Sequence, residues 1–457
     1  MLAKTLKTRH LSMIALGGSI GTGIFLASGY AISVAGPGGA LLAYTLISIM
    51  VFFLITSLGE LSTHQPSTGT FCEYSAQYVS PTFGYAMGLN YWFNWAITIA
   101  AEISAAVIVM KFWYPTGSDF LFSSMFFFGI LAINLLSVRV FGEIEYIMSM
   151  IKVAVIVSFI ILGTFLIMKQ PSFGIQNFSI ADAPFHAGIS GFFMVFLIAG
   201  FSFQGSELIG VASGEAKEPQ KSIPKAVKNV FWRLILFYIF TTLIISLLIP
   251  FNDPKMATQD SVHTSPFTLI FAHYLSNSMA ANILNFVILI ALLSAANASM
   301  YSATRTLWYM SHTYNAPKLF SKVTSYGLPI NALIGTALVG STVFLSSFIS
   351  NGVLFTKLLH LSSLCGFIAW FGIAISHYRF RKYYLKDTKQ LVYKAIAFPF
   401  GPIFSMIFIA IIVIGQGYNF WGTFTLGSFF DAYGALILFA GFMLYYKLVR
   451  KKILPNF

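Results

Sequence analysis

Residues 17–25 read Gly-Gly-Ser-Ile-Gly-Thr-Gly-Ile-Phe and lie in the middle of the first long apolar segment of the chain. Four glycines among seven residues weaken a helix there, because each costs about 1 kcal/mol relative to alanine. A second sequence of this kind, Gly-Phe-Ser-Phe-Gln-Gly-Ser-Glu, occupies residues 200–207, again inside an apolar segment. Small residues also permit close helix packing, so one such sequence is weak support for an interruption. Two of them predict a pair of broken helices.

The composition places both sequences in a membrane protein. Hydrophobic residues make up 57% of the 457 residues and charged residues only 9%, against about 25% charged residues in soluble domains. The 48 Phe and 22 Tyr argue against a disordered chain. The two cysteines, Cys72 and Cys365, lie in or beside apolar segments and offer no disulfide framework. A polytopic membrane protein remains.

A membrane-spanning helix needs about 20 mainly apolar residues, and twelve segments meet that requirement. We therefore predict an all-α protein with one transmembrane domain over residues 1–457. The predicted spans are 11–34, 39–59, 84–110, 120–138, 144–168, 187–212, 229–250, 278–304, 331–350, 355–377, 397–416 and 427–446.

The Lys and Arg residues indicate the orientation of these spans. With a cytoplasmic N-terminus, 22 of the 27 fall on the cytoplasmic side, four fall outside, and Lys152 lies within a span. This asymmetry follows the positive-inside rule, so both termini are predicted to be cytoplasmic. The net charge of +13 is then a topology signal in a lipid bilayer, and no nucleic-acid partner is expected.

The two predicted breaks lie five helices apart, in the first and sixth spans. Residues 11–168 would form one repeat and residues 187–377 a second, inverted repeat, followed by two additional helices over 397–446. Interrupted helices in inverted repeats meet at the membrane midplane, where unwound backbone lines a cavity. The N–H groups of a half-helix suit an anion, whereas freed carbonyls suit an ammonium. Together they indicate an amino acid ligand.

Charged residues inside a span are costly and mark candidate functional sites. Three residues qualify, Glu102 in the third span, Lys152 in the fifth and Glu207 in the sixth. Structural ion pairs within the bundle are the alternative. A buried cation needs an ionised partner, so we predict that Glu102 and Glu207 reach a midplane cavity and bind a substrate ammonium. Glu60 and Glu215, near span ends, are expected to have easier access to water.

Further motifs extend along nearly the whole chain. They are Ala35-Gly36-Pro37-Gly38-Gly39-Ala40, Ser57-Leu58-Gly59-Glu60-Leu61, Asn90-Tyr91-Trp92-Phe93-Asn94-Trp95, Glu207-Leu208-Ile209-Gly210, Gly214-Glu215 and residues 366–381. Together with the two glycine sequences, these motifs resemble the amino acid permeases of the amino acid–polyamine–organocation superfamily, and within it the bacterial lysine-specific permeases.

The resemblance implies a LeuT-type fold of five plus five helices, with helices 1 and 6 broken. It also implies import of a cationic amino acid, above all L-lysine, by proton symport and alternating access across the bacterial cytoplasmic (inner) membrane. The residues implied in binding the substrate are Gly21, Thr22 and Gly23 for the α-carboxylate, through their amides, and Ser19, Phe201 and Gln204 for the α-ammonium, through their carbonyls.

Three charged residues also receive roles from the resemblance. Lys152 resembles the fifth-helix lysine that takes the place of a sodium ion in proton-coupled relatives. Its candidate neighbours on the eighth span are Ser294, Asn297 and Ser299, and helical spacing puts Ser294 and Asn297 on a similar face. Glu207 and Glu215 resemble acidic residues associated with lysine transport, so Lys152 and Glu207 are the proton-coupling candidates. A permanent ion pair between Lys152 and a buried glutamate stays open as the alternative.

Other functions find less support in the sequence. Glu215 lies in the connector 213–228, which is either a solvated loop or part of a cytoplasmic gate and release path. No phosphate-binding loop, cofactor motif, catalytic cluster or metal-ligand spacing is visible, so neither an enzyme nor a cofactor is expected. The alternatives are transport of arginine, ornithine or histidine, and a lysine sensor on the same fold. A membrane-sensor partner is compatible with transport.

Overall fold

The structure is a computed structural model that describes residues 13, 20–136, 138–169, 174–257, 265–275, 278–313, 317–325, 327–417 and 425–450. The regular elements of these residues are helical. The α-helices are α1 (Thr22–Phe25), α2 (Ala27–His64), α3 (Thr70–Tyr78), α4 (Pro81–Met110), α5 (Asp119–Asn134), α6 (Val138–Lys169), α7 (Gly188–Phe203), α8 (Leu208–Ala212), α9 (Pro219–Arg233), α10 (Thr241–Leu248), α11 (Pro254–Ala257), α12 (Pro266–Leu275), α13 (Ser278–Thr313), α14 (Ile330–Gly340), α15 (Asn351–Arg379), α16 (Phe400–Gly415) and α17 (Leu426–Tyr445).

Within the described residues, nine helical segments are long and apolar enough to cross a membrane, and two shorter apolar helices, α5 and α16, accompany them. The prediction of an all-α polytopic protein is therefore confirmed, whereas the count of twelve spans stays a prediction. Apolar side chains cover the outer faces of the bundle; Ile161 and Phe165 of α6, for example, are more than half exposed. Such faces suit hydrocarbon rather than water.

The long helix α2 is divided at Gly36, which has φ +73° and ψ 169°. As one straight helix its 38 residues would measure about 57 Å, nearly twice the hydrocarbon core of about 30 Å. The amides of Gly38 and Gly39 donate to the carbonyl of Pro184 at 2.9 and 3.2 Å. A Cβ atom on Gly36 would lie 2.6 Å from the same oxygen. This break separates the first predicted span from the second.

The sixth predicted span is broken, as the glycine pattern indicates. Helix α7 ends at Phe203 and α8 begins at Leu208, and between them Gly205 adopts φ +90°, which favours glycine. In the first span, Ile20 and Gly21 are non-helical before α1 begins at Thr22. Ser19 and residues 14–18 lie outside the described residues, so the predicted role of Ser19 stays a prediction.

The two broken helices touch directly. A Cβ atom on Gly23 would lie 2.3 Å from the Cα atom of Ser202, so only glycine permits the approach of α1 to α7. Helix α4 forms the centre of the bundle, because it packs against both α13 and α15 and nearly all of its middle is buried. These contacts place α1, α4, α7 and α13 around one central space.

Candidate functional site

A small cavity lies between the broken helices. Its volume is about 20 Å³, which is room for about one water molecule. The residues that line it, from α1, α4, α7 and α13 and the breaks beside them, are Gly21, Gly23, Trp95, Thr98, Glu102, Phe201, Gln204, Ala295 and Ser299. An amino acid is much larger than this volume, so binding requires the surrounding helices to move apart.

Glu102 reaches the start of α1. Its Oε2 atom accepts hydrogen bonds from the Thr22 amide at 3.3 Å and from the Thr22 hydroxyl at 2.5 Å, and the side chain is almost fully buried. A Cβ atom on Gly21 would lie 2.8 Å from Oε1. Glu102 thus occupies the place where the sequence predicts the α-carboxylate of a substrate.

Gln204 is held at the break of the sixth helix by residues of α4 and α15. The Asn94 amide donates to Gln204 Oε1 at 2.9 Å, and Gln204 Nε2 donates to the Ser362 carbonyl at 2.9 Å. The Phe201 carbonyl is predicted to accept a substrate ammonium, and here it accepts a hydrogen bond from the backbone N–H of Gln204 at 3.2 Å. The Gln204 side chain therefore anchors the unwound segment, which fixes where its backbone carbonyls lie.

Glu207 is buried, but it does not appear among the residues that line the central cavity. Its carboxylate accepts hydrogen bonds from the Trp370 indole at 3.2 Å, the Gly205 amide at 3.3 Å and the Tyr91 hydroxyl at 3.4 Å. Arg233 interacts with it electrostatically. Of the two glutamates that the sequence predicts to reach one cavity, Glu102 lines the cavity described here and Glu207 does not.

Arg233 belongs with the buried charges, although the positive-inside rule assigns it to the cytoplasmic side. It is 1% exposed, and its guanidinium donates to the Ser206 hydroxyl. It lies close to the start of the predicted span 229–250, where a long basic side chain normally reaches water, so nothing in the sequence indicates its burial.

Lys152 is fully buried and lies beside the carboxylate of Glu145, a residue that is not among those predicted from the sequence to be functional. Lys152 Nζ lies 3.9 Å from Glu145 Oε1, and neither side chain is exposed. Glu145 also accepts the Ser294 hydroxyl at 2.7 Å and the Asn297 amide at 3.5 Å. Ser294 and Asn297, two of the candidate neighbours of Lys152, thus contact its ion-pair partner Glu145. Glu145 is the second residue of the predicted span 144–168, where a charge normally reaches water, so nothing in the sequence indicates its burial.

Two further carboxylates, expected to be accessible to water, are buried in ion pairs. Glu215 accepts a hydrogen bond from Arg305 Nε at 3.2 Å. The Arg305 guanidinium also lies 4.1 Å from the centre of the Tyr301 ring. Glu60 accepts Arg381 Nε at 2.7 Å and lies 3.1 Å from His377 Nε2. Each pair joins segments far apart in the sequence, which sequence spacing alone does not indicate.

This arrangement defines a class of protein, a multi-pass transporter whose site lies between two broken helices of a LeuT-type fold. The fold is similar to that of the Eremococcus coleocola manganese transporter, whose crystal structure was determined in complex with an aromatic bis-isothiourea substituted compound. The TM-score is 0.56 over 97% of this chain and 94% of that one, at 14% sequence identity. At that identity the likeness shows the fold alone.

The amino acid permease family model matches residues 10–457, and the chain belongs to that family. It is 47% identical to the lysine-specific permease LysP of Escherichia coli (strain K12), over 98% of this chain and 94% of that protein. It is 44% identical to the histidine permease HisP of Lactococcus lactis subsp. cremoris (strain MG1363), over 90% of this chain and 87% of that protein.

Proposed function

We propose that this permease is a proton-coupled symporter that imports L-lysine across the bacterial cytoplasmic membrane, with both termini in the cytoplasm. The observation that carries the proposal is the buried carboxylate of Glu102 inside the cavity between the two broken helices. A buried carboxylate in a closed site selects a cation, and the 47% identity to LysP supports lysine as that cation.

Glu102 serves two states in this mechanism. Glu102 accepts hydrogen bonds from the Thr22 amide and hydroxyl, so the start of α1 has an anionic partner. When lysine binds, its α-carboxylate replaces Glu102 as the acceptor of the Thr22 amide hydrogen bond. The Glu102 carboxylate then pairs with the side-chain ammonium of the lysine. The exchange leaves neither the helix end nor the carboxylate unpartnered, which is the requirement for closing the cavity around a charged substrate.

Proton coupling is assigned to Lys152 together with Glu145. Glu145 ties α6 to α13 through Ser294, and protonated Lys152 supplies its counter-charge. If Lys152 loses its proton, Glu145 becomes a buried charge without compensation, which costs several kcal/mol. The bundle must then rearrange to hydrate or protonate Glu145. Loss of the proton thereby drives the conformational change, so accumulation of lysine depends on the proton gradient.

Glu207 and Glu215 act at a distance from the cavity. Glu207 accepts the Gly205 amide and so holds the unwound segment of the sixth span in place. Glu215 and Arg305 close the route from the cavity to the side predicted to be cytoplasmic. We therefore assign Glu207 to positioning and Glu215 to the cytoplasmic gate.

The test is uptake of labelled L-lysine into proteoliposomes of the purified protein with an imposed pH gradient. We expect accumulation that collapses with a protonophore and is unchanged when potassium replaces sodium. Uptake that follows a sodium gradient and ignores the pH gradient contradicts the coupling mechanism.

Competition defines the substrate range in the same assay. Arginine, ornithine, histidine and neutral amino acids are added in excess, and histidine is the critical competitor because of the identity to HisP. We expect lysine to compete best. Accumulation of histidine in preference to lysine contradicts the substrate assignment while leaving the transport mechanism intact.

A further inference from the structure

A second, larger cavity lies away from the central site, with a volume of about 580 Å³. It is a partly open cavity lined by α3, the start of α4, the end of α13 and the segment that follows α15. Lining residues that matter for its chemistry are Glu73, Ala76, Val79, Pro81, Tyr309 and Tyr384. The positive-inside orientation predicts that all of these segments lie on the cytoplasmic side, so the cavity faces the cytoplasm.

Glu73 is the one charged side chain in the described lining of this cavity. Its carboxylate accepts hydrogen bonds from the Tyr309 hydroxyl at 3.0 Å, from Gln65 Nε2 at 3.1 Å and from the Ser67 hydroxyl. These partners are neutral, so they orient the carboxylate without cancelling its charge. The predicted cytoplasmic side of the protein is largely basic, so the anionic carboxylate of Glu73 makes this cavity a local site for a cation.

The walls of the cavity restrict the kind of cation further. The rings of Tyr309 and Tyr384 offer faces that attract an ammonium group. Ala76, Val79 and Pro81 add apolar surface, which suits an aliphatic chain behind the charge. A small hydrated metal ion would gain little from such walls.

We propose that this cavity is a second binding site for a primary ammonium carried on an aliphatic chain, the side chain of L-lysine on the cytoplasmic side. The ammonium contacts Glu73 between the two tyrosine rings, and the methylene chain lies on the apolar wall. That lysine is the ligand rests on the proposed function of the central site.

Occupation of this site slows further import. A Cβ atom on Gly69 would lie 2.0 Å from the Tyr309 ring, and one on Gly214 would lie 2.2 Å from the Thr68 hydroxyl. The loop before α3 therefore packs tightly on both α13 and the segment that carries Glu215. A ligand that contacts both Glu73 and Tyr309 adds to the hydrogen bond between them and holds these elements together, so lysine that accumulates in the cytoplasm inhibits its own uptake.

Calorimetric titration of the full chain in lipid nanodiscs with L-lysine tests the proposal. The wild-type protein should show two sites. Norleucine has the same four side-chain carbons as lysine but no side-chain ammonium, and it should not occupy the second site. Glu73→Gln should weaken that site roughly ten- to hundredfold, as for a lost charged hydrogen bond, and leave the other unchanged. Glu102→Gln should do the reverse. Loss of all lysine binding in Glu102→Gln overturns the proposal, as does equal binding of norleucine.

A second pair of variants tests the proposal even if the Glu73→Gln protein does not fold. Tyr384 is half exposed and packs on Tyr78, so Tyr384→Ala removes one wall without touching the partners of Glu73. It should weaken the second site, whereas Tyr384→Phe should retain it; equal affinity in both overturns the proposal. If the proposed function fails but the second site exists, a Glu73-dependent site persists in a protein that neither transports lysine nor responds to Glu102→Gln.

Discussion

Glu102 and Glu207 are both buried glutamates of predicted spans, yet their surroundings give them different tasks. Glu102 lines the central cavity and binds Thr22 of the first broken helix. Glu207 is enclosed by Tyr91, Trp370 and Gly205. The same change of charge at the two positions should therefore affect different kinetic constants.

We expect Glu102→Gln to raise the KM for lysine roughly ten- to hundredfold, because it removes a charged partner of the substrate ammonium. Glu207→Gln serves as the matched variant. It should lower the maximal rate with little change in KM, since it loosens the unwound segment without touching substrate. Initial rates of uptake over a range of lysine concentrations separate the two. An unchanged KM in Glu102→Gln contradicts the assignment.

The buried pair of Lys152 and Glu145 makes a prediction about charge compensation. Removal of one partner leaves an uncompensated buried charge and should destabilise the protein by about 3–5 kcal/mol, whereas removal of both costs less. We expect Glu145→Gln and Lys152→Met each to lower the thermal unfolding midpoint, and the double variant to recover part of the loss.

The double variant also separates coupling from a purely structural ion pair. If the pair couples protons to transport, the double variant exchanges labelled lysine across the membrane but no longer accumulates it under a pH gradient. Full accumulation by the double variant would show that the pair is structural.

At the scale of the helices, the close contact of Gly23 in α1 with Ser202 in α7 can be tested by substitution. Gly23→Ala places a methyl group 2.3 Å from the Cα atom of Ser202, so α1 and α7 must separate; we expect uptake to be lost. Gly129→Ala in α5 is the matched control, because a Cβ atom there meets nothing within 4 Å. It should leave uptake unchanged and stabilise the helix by about 0.5–1 kcal/mol. Uptake by both variants, measured at equal expression, tests the contact.

The breaks in the helices could be predicted from the sequence. The break of the sixth span was predictable, because Gly200, Gly205 and four polar residues within an apolar segment weaken a helix locally. The division at Gly36 was predictable from length, since no single helix of that size fits a bilayer. Both are properties of consecutive residues.

Long-range side-chain partners were not predictable in this way. Glu207 turns to Trp370, which lies 163 residues further along the chain, and nothing in the local pattern of either residue indicates the pairing. Glu145 and Arg233 lie close to the ends of their predicted spans, where a charge normally reaches water. Only the packing of neighbouring helices shows that both side chains are buried.

For the whole molecule, transport requires that the central cavity open to one side at a time. Arg305 lies on α13, and Ser299 of the same helix lines the cavity. Ser299, Ser302 and Arg305 follow one another at intervals of three residues, which places them on a similar face of the helix. In the proposed mechanism, the buried pair of Arg305 and Glu215 therefore closes the cavity toward the predicted cytoplasmic side.

Glu215→Gln should weaken this closure, because Arg305 loses its charged partner in a buried position. Ser302 is fully buried, and a cysteine at this position reports opening when Cys72 and Cys365 are replaced by serine. In inside-out vesicles, a membrane-impermeant thiol reagent should label Ser302→Cys faster in the presence of Glu215→Gln. Glu218→Gln is the control, since Glu218 pairs with Lys221 on the exposed surface; it should leave the labelling rate unchanged. Equal labelling in all three proteins would place the cytoplasmic closure elsewhere in the bundle.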